Sequence, residues 1–488
     1  MMSTNANQPR KKNLWADSGK WILGIIAVAL VTFGLTALLI TIMERQTEAQ
    51  APFTKVVELD ETTVDPEVWG QNFPVQYEDY LKTEEMGPTK WGGSHPVDPP
   101  EGDPRTEQIS SSRLEEDPRL VTMWKGYAFS KDYRHARGHA YMLEDQRQTL
   151  RVRDFDQPGT CLNCHASTVA LMDELGDGDR DAGFAEMNLM PYDEVTQMVD
   201  HPVSCLDCHD PQTMELRITR PAFERGIAAL KASEGIENYD VNKDATAQDM
   251  RTYTCAQCHV EYYFESDTKE LIFPWAKGID LDDIYEYYAE DGHIDWTHEI
   301  TGAEMLKAQH PEFDLWSNGI HAASGVSCAD CHMPYKREGA QKVSDHHLQS
   351  PLFDANASCG TCHNESAEEM TNRVETIQDR YLHSRNQAFD ALVALINDIA
   401  EYKEAGNVDQ ARLDEAYEFQ KKASFYIDYV YSENSNGFHA PAYIHRILGD
   451  ALDAARKGQI VLTGVPAADL EASETTLQYE EMMAGENR

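Results

Sequence analysis

The sequence predicts a mainly α protein with long C-terminal helices and little β structure. One stretch repeats apolar side chains at intervals of three, four and seven residues, the spacing of one face of a long helix: Val374, Ile377, Tyr381, Ala388, Leu392, Leu395 and Ile399. Between residues 116 and 365 no comparable period recurs, and cysteine motifs spaced unevenly along the chain take its place. Strand-like alternation is scarce throughout.

The C-terminal region, residues 366–464, should hold three helices. The first ends near Gly406 and Asn407, which favour helix termination, and the others are predicted at 408–432 and 441–457. The apolar seam of the first helix fits either packing within the chain or a dimer interface. Residues 465–488 are acidic and are predicted to be a loose tail.

The charge balance excludes one class of partner. Among 488 residues, 42 Lys and Arg stand against 84 Asp and Glu, a net charge of −42. Nucleic acid is therefore not an expected partner, because phosphate binding needs a basic surface. A small anion would need a local basic cluster. The densest one holds Arg134, Arg137, Arg147, Arg151 and Arg153, which could equally pair with carboxylates of a cofactor.

Residues 21–43 contain no charged side chain and are long enough to span a membrane as a helix. Four basic residues precede them, so the positive-inside rule makes 1–20 a cytoplasmic tail and places the main domain outside the cytoplasm. The alternative is a signal peptide cleaved near Ala49–Gln50–Ala51. Residues 44–115, with a Pro/Gly-rich stretch, are interpreted as an irregular linker and covering arm.

All ten cysteines lie in Cys-x-x-Cys-His motifs, and none remains for a disulfide. Two thiols at this spacing can bond the vinyl groups of one haem, and the adjacent histidine can bind its iron. The sequence thus predicts five covalent haem c groups, held by Cys161, Cys164 and His165; Cys205, Cys208 and His209; Cys255, Cys258 and His259; Cys328, Cys331 and His332; and Cys359, Cys362 and His363.

The second axial position of each iron decides between two functions. Five of the 18 histidines belong to the motifs, which leaves thirteen as candidates. If every iron took a second histidine, the protein would be a non-catalytic electron-transfer cytochrome. If one iron lacked it, that iron could bind a substrate. The number of histidines permits both.

Further residues around the motifs resemble a known family. They include Gly126–Tyr133, Arg137–Tyr141, Thr149–Arg151, His259–Phe264 and the run Met305–Pro311 followed by Gly319–His321. Over about 120–450 the chain resembles the pentahaem cytochrome c nitrite reductases, which form ammonium. The resemblance implies a multihaem cytochrome c fold and six-electron reduction of nitrite at the first haem. It also implies a homodimer and a membrane multihaem quinol dehydrogenase, or another cytochrome, as electron donor.

The resemblance also implies roles for individual residues. Arg151, Tyr262 and His310 would line the substrate side of the first haem, with Arg153 as the alternative to Arg151. The second axial ligands would be His346 for the second haem, His139 for the third, His439 for the fourth and His321 for the fifth. His347, adjacent to His346, is the alternative there.

One calcium ion is implied by the same resemblance, with Glu261, Tyr262, Lys307 and Gln309 as ligands; Tyr262 and Lys307 would supply backbone oxygens. One departure stands out, because many members of the family have lysine where this chain has His165. The chain is therefore similar to the branch with Cys-x-x-Cys-His at the catalytic haem. The remaining histidines are expected at the surface or behind the ligands.

Overall fold

The computed structural model describes residues 14–49, 55–339 and 341–470. Its described residues fall into two compact units, one from 1–55 with 336–343 and the other from 56–335 with 344–488. Most of the expected tails, 1–13 and 471–488, and most of the expected cleavage site lie outside the described residues. The second unit is mainly helical with little strand, which confirms the predicted fold class.

The α-helices of the described residues run, in chain order, as α1 Leu14–Ala49, α2 Pro66–Asn72, α3 Pro74–Leu81, α4 Arg113–Glu116, α5 Arg119–Met123, α6 Met142–Gln148, α7 Leu150–Arg153, α8 Leu162–His165, α9 Val169–Leu175, α10 Arg180–Leu189, α11 Tyr192–Val195, α12 Cys205–Cys208, α13 Pro221–Ser233, α14 Val241–Asp244, α15 Ala247–Ala256, α16 Leu281–Asp291, α17 Glu312–Ser317, α18 Ile320–Ala323, α19 Cys328–His332, α20 Ala355–Cys359, α21 Ala367–Glu404, α22 Gln410–Ser432 and α23 Pro441–Leu462.

The β structure is limited to six short strands in three two-stranded sheets, as far as the described residues go. They are β1 Tyr263–Phe264 with β2 Leu271–Ile272, β3 Trp296–Thr297 with β4 Glu304–Met305, and β5 Tyr335–Glu338 with β6 Gln341–Ser344. The first two pairs are antiparallel. They brace the segments that lead into the predicted site around Tyr262 and Lys307.

The three C-terminal helices occur where they were predicted. A reciprocal cap starts α21: the Glu369 carboxylate accepts from Ser366 N at 2.9 Å, and Ser366 Oγ accepts from Glu369 N at 3.2 Å. The helix stops before Gly406, whose φ of +78° is the left-handed conformation that ends helices.

From Tyr381 onward the seam of α21 is buried within the chain, because its apolar residues belong to the same core as those of α22 and α23. Leu392 and Leu395 are both 0% exposed. Of the two roles predicted for this seam, packing within the chain is the one seen in the structure. A dimer would need other faces of these helices.

Helix α1 is the one described helix that is long and apolar enough to cross a membrane. Its central segment, Trp21–Met43, spans 23 residues with a mean hydropathy of 2.6, and none of it is buried within the chain. This length and composition suit the predicted anchor and an uncleaved signal equally.

The covering arm is more regular than its sequence suggested. Helices α2 and α3 form within it, and Trp69 is 1% exposed. Tyr80 ties the arm to the haem region by donating to Val203 O at 3.0 Å. Further along, the arm passes close to Gly138, the residue before His139. A Cβ at position 138 would lie 1.7 Å from Thr83 O, so only glycine fits there.

Gly458 in α23 should tolerate no β-branched side chain. A Cβ there would lie 2.8 Å from Leu395 Cδ2 and 3.1 Å from Phe419 Cβ. Overpacking of this kind destabilises by about 1–3 kcal/mol, so Gly458→Val should lower the temperature of thermal unfolding of the holoprotein, followed by circular dichroism. Gly449→Val, in the same helix with nothing within 4 Å, is the matched control; equal melting of both variants would contradict the prediction.

Candidate functional site

Each Cys-x-x-Cys-His motif lies on a helical turn or at the end of a short helix. In the second and fourth motifs an aspartate between the cysteines fixes that turn. Asp207 accepts from Ser204 N at 2.7 Å, and Asp330 accepts from Ser327 N at 2.8 Å. All ten thiols are free, as thioether bonds to haem require.

Four of the five motif histidines face a second histidine ring at an almost constant distance. A metal–imidazole bond of about 2.0 Å on each side of one iron would separate the two ring centroids by about 6.3 Å. The observed separations are 6.4 Å for His259 and His139, 6.2 Å for His209 and His346, 6.4 Å for His332 and His439, and 6.5 Å for His363 and His321. The residues present therefore fit haem iron between each pair.

Backbone carbonyls orient several of these rings through Nδ1. The contacts measure 2.9–3.1 Å and join His165 to Met142 O, His209 to Met214 O, His332 to Gln349 O and His346 to Ser344 O. An Nδ1–H that donates to a carbonyl leaves Nε2 as the nitrogen that can bind a metal. His346 rather than His347 makes the paired contact.

His165 differs from the other four motif histidines. Within the described part of the chain, no second histidine ring pairs with it. Burial lowers the pKa of His165 to about 4, and the charges of Arg151 and His259 act in the same direction. The guanidinium of Arg151 is thus close enough to act on this ring.

Tyr262 and His310 belong to the same neighbourhood. Burial raises the pKa of the Tyr262 phenol well above its usual value, so the hydroxyl keeps its proton, while the Arg151 charge acts in the opposite direction. Burial lowers the pKa of His310 to about 4, with His165 and Lys307 acting in the same sense. The three side chains predicted to be catalytic therefore lie within electrostatic range of the first motif, and His310 is also within range of His259 of the third.

Arg151 is held by an aromatic ring. Its guanidinium carbon lies 4.0 Å from the centroid of Phe129, and its Nε donates to Thr149 Oγ1 at 3.2 Å. Arg153, two residues later on α7, is exposed. Of the two alternatives, Arg151 has the placement expected of a residue at the site.

The wider basic cluster does not form the funnel that the sequence suggested, because protein acceptors already engage three of its members. Arg137 forms an ion pair with Asp145, and Arg134 pairs with Asp132 at 2.9 Å. Arg147 donates to the carbonyls of Thr196 and Val199 at 2.6 and 2.7 Å. These arginines stabilise the fold, and Arg151 is the member of the cluster whose charge acts on His165.

The predicted calcium ligands come from two segments that lie side by side. Gln309 N donates to Glu261 Oε2 at 2.7 Å, and Gln309 Nε2 approaches Lys307 O at 3.4 Å. Glu261 is 0% exposed, and burial raises its pKa well above the usual value, with the carboxylate of Asp314 adding to the effect. A buried carboxylate next to another is stabilised by a cation, and this set of oxygens suits calcium.

The Lys307 ammonium is not that cation. Its Nζ lies 2.9 Å from Asp428 in a pair whose side chains are 1% and 0% exposed, and its charge only partly offsets the effect of burial, which raises the pKa of Glu261. No group of three or more His, Cys, Asp and Glu side chains gathers as a metal site in the residues that the structure describes. The predicted calcium set contains a single carboxylate and depends on amide and carbonyl oxygens instead.

Three residues near the ligands were missed by the sequence analysis: Phe129, Glu312 and Glu433. Glu312 follows His310 by two positions, which was the one available signal. His298, expected at the surface or behind the ligands, is 0% exposed, and its Nε2 lies 3.0 Å from Thr122 O, so it is a core histidine.

Comparisons with known proteins agree with this arrangement. The cytochrome c552 family profile matches residues 65–486. Cytochrome c-552 of Bacteroides fragilis (strain YCH46) is 36% identical over 477 residues, covering 94% of this chain and 91% of the relative. The cytochrome c nitrite reductase subunit NrfA of Nitratidesulfovibrio vulgaris (strain Hildenborough) is 34% identical over 457 residues, covering 86% and 81%.

A solved structure is similar in fold. It is cytochrome c nitrite reductase from Desulfovibrio desulfuricans ATCC 27774, whose catalytic subunit NrfA is described with two calcium sites. It matches with a TM-score of 0.73 and 29% identity, covering 86% of this chain and 91% of that one. The chain belongs to the cytochrome c552 family, and its predicted resemblance to the pentahaem nitrite reductases is confirmed.

Proposed function

We propose that this protein reduces nitrite to ammonium at the haem held by Cys161, Cys164 and His165, with four bis-histidine haems supplying the electrons. The balanced reaction takes one nitrite, six electrons and eight protons to one ammonium and two waters. The observation that carries the proposal is an asymmetry: four motif histidines face a second imidazole at 6.2–6.5 Å, whereas within the described residues no second histidine ring faces His165.

Each of these three side chains suits one task in such a reaction. Arg151 carries the permanent positive charge that attracts an anion and stabilises charge on its oxygens. Tyr262 keeps its proton, because burial raises its pKa, and can donate a hydrogen bond to an N–O group. His310 can pass protons from neighbouring groups to the substrate. When bound, haem c supplies a redox-active iron that takes up nitrite and delivers electrons to it.

The proposal includes one calcium ion held by Glu261, Gln309 and the carbonyls of Tyr262 and Lys307. Tyr262 and His310 are sequence neighbours of these ligands, so the ion would fix two catalytic side chains at once. The solved NrfA from Desulfovibrio desulfuricans is described with two calcium sites, which supports calcium as the metal and leaves its number to measurement.

The setting of the enzyme follows the same family. We propose an extracytoplasmic domain, either anchored by α1 or released after cleavage, because haem c is attached outside the cytoplasm. Its electron donor would be a membrane multihaem quinol dehydrogenase or another cytochrome. A homodimer through residues 366–464 would use outer faces of the C-terminal helices, since the apolar seam of α21 is used within the chain.

Electron paramagnetic resonance of the oxidised holoprotein tests the function directly. One high-spin ferric signal that changes on addition of nitrite is expected, beside low-spin signals that do not change. The reason is that one iron alone would have a coordination position for substrate. Five low-spin haems indifferent to nitrite would contradict the proposal and would leave the alternative, a non-catalytic multihaem electron-transfer cytochrome.

Replacement of Arg151 by alanine should weaken nitrite binding selectively. A charge-assisted hydrogen bond contributes about 1.5–3 kcal/mol, so the KM for nitrite should rise about 10- to 100-fold in steady-state assays with a reduced viologen donor. Arg153→Ala removes the same charge from the same helical turn, but its side chain is exposed. If Arg153→Ala raised the KM for nitrite to a comparable extent, the anion-binding role given to Arg151 would be wrong.

Glu261→Gln should lower the calcium content of the purified holoprotein, measured by atomic emission, because the site would lose its one carboxylate. Glu265→Gln is the matched control: this acid is only half-buried, and its carboxylate accepts from Thr268 N at 2.6 Å in a local turn. Unchanged calcium in Glu261→Gln would place the ion elsewhere.

A further inference from the structure

The paired histidine rings do not all have the same partners at Nδ1. In the pair formed by His209 and His346, both Nδ1 atoms meet backbone carbonyls, Met214 O at 3.0 Å and Ser344 O at 2.9 Å. A carbonyl offers only a dipole to the ring. In this pair both of these Nδ1 contacts are thus with carbonyl dipoles.

The pair formed by His332 and His439 is different, because a carboxylate lies against one ring. Glu433 Oε1 is 2.7 Å from His439 Nδ1, and the Glu433 side chain is 0% exposed. Its two oxygens accept from Ser435 N at 2.7 Å and from Ser435 Oγ at 2.8 Å. These two hydrogen bonds hold the Glu433 carboxylate against the ring.

The backbone ties this charge to the ligand. Ser435 Oγ also accepts from His439 N at 2.9 Å, so one serine joins the carboxylate and the histidine that it contacts. The segment 433–439 thus folds back on itself, and the acid cannot move away from the ring without breaking these bonds.

A second buried acid stands beside the neighbouring pair, His139 with His259. Glu312 Oε2 lies 3.7 Å from His259 Nδ1, and Glu312 Oε1 accepts from Asn434 Nδ2 at 2.6 Å. Asn434 directly follows Glu433 in the sequence. The two acids are therefore linked through one loop, and each contacts a histidine of a different pair.

We propose that Glu433 is a positioning residue that lowers the reduction potential of the haem held between His332 and His439, and that Glu312 has the same, weaker effect on the haem between His139 and His259. The inference rests on the axial ligands assigned in the proposed function. It adds a residue-level control of the reduction potentials of two haems. A negative charge at Nδ1 makes Nε2 a stronger donor and stabilises ferric over ferrous iron. Burial enlarges the effect, because the local dielectric is low.

Glu433→Gln tests the proposal in the five-haem holoprotein. At a fixed ambient potential, the ferrous-to-ferric ratio of the fourth haem should rise about tenfold, which corresponds to about 59 mV for a one-electron couple. The measurement is a redox titration followed by electron paramagnetic resonance. The haem that shifts should also change its g values, which identifies it and which a purely structural role would not produce.

Glu365→Gln is the matched control. Glu365 Oε2 also lies near a ligand Nδ1, 4.0 Å from that of His363, but its side chain is 59% exposed. Solvent and salt screen this charge, so the fifth haem should keep its potential. A shift in Glu365→Gln equal to that in Glu433→Gln would contradict the role given to burial.

Two outcomes would overturn the inference. One is that Glu433→Gln retains five haems and the reduction potential of its fourth haem does not change. If that variant fails to retain five haems, Glu312→Gln takes its place, and an unmoved third haem would then overturn the proposal. Failure of the proposed function would look different, because wild-type protein would lack either four bis-histidine spectra or the nitrite-sensitive signal before any variant was made.

Discussion

The separation of paired imidazole rings is the constraint on which most of this structure depends. Each of the four pairs joins segments that are far apart in the sequence, for example His139 with His259 and His332 with His439. Both rings must keep a separation that one iron can bridge, so helices from different parts of the chain have little freedom to shift. Because metal binding and folding are coupled in such sites, the haem groups would act as the cross-links of a region that has few strands and many short helices.

The C-terminal helices support the site as well as the fold. Asp428 on α22 pairs with Lys307 Nζ at 2.9 Å and accepts from Ala308 N at 3.0 Å. One buried aspartate therefore fixes the backbone that leads to Gln309 and His310. Leaving a buried charge unpaired is strongly destabilising, so this pair holds the segment firmly. Burial raises the pKa of Asp428, but the adjacent ammonium favours its charged form.

The sequence predicted the three long C-terminal helices closely, because their apolar period and the glycine after α21 are local signals. The haem motifs were equally direct, since cysteine spacing dictates the chemistry. Which histidines pair across an iron could be predicted only from the resemblance to a known family. The number of histidines alone does not say which of the thirteen candidates belongs to which motif. For Glu312 and Glu433 the sequence offers little more than the position of Glu312 two residues after His310, because their significance arises from burial beside histidine rings. The arginine cluster does not form the expected funnel for two reasons. Nearby acids pair with Arg134 and Arg137, and carbonyls of a more distant segment accept from Arg147.

The close approach of Thr83 to Gly138 has a consequence for how the chain can be divided. The arm does not simply lie over a finished domain; its backbone occupies the space that any side chain at position 138 would need, one residue before His139. Tyr80 fastens the same arm to Val203 O. A shortened protein that begins at the haem region would therefore lose the backbone that packs beside His139, a proposed iron ligand. The part of the arm that holds Tyr80 and Thr83 belongs in any minimal version of this protein.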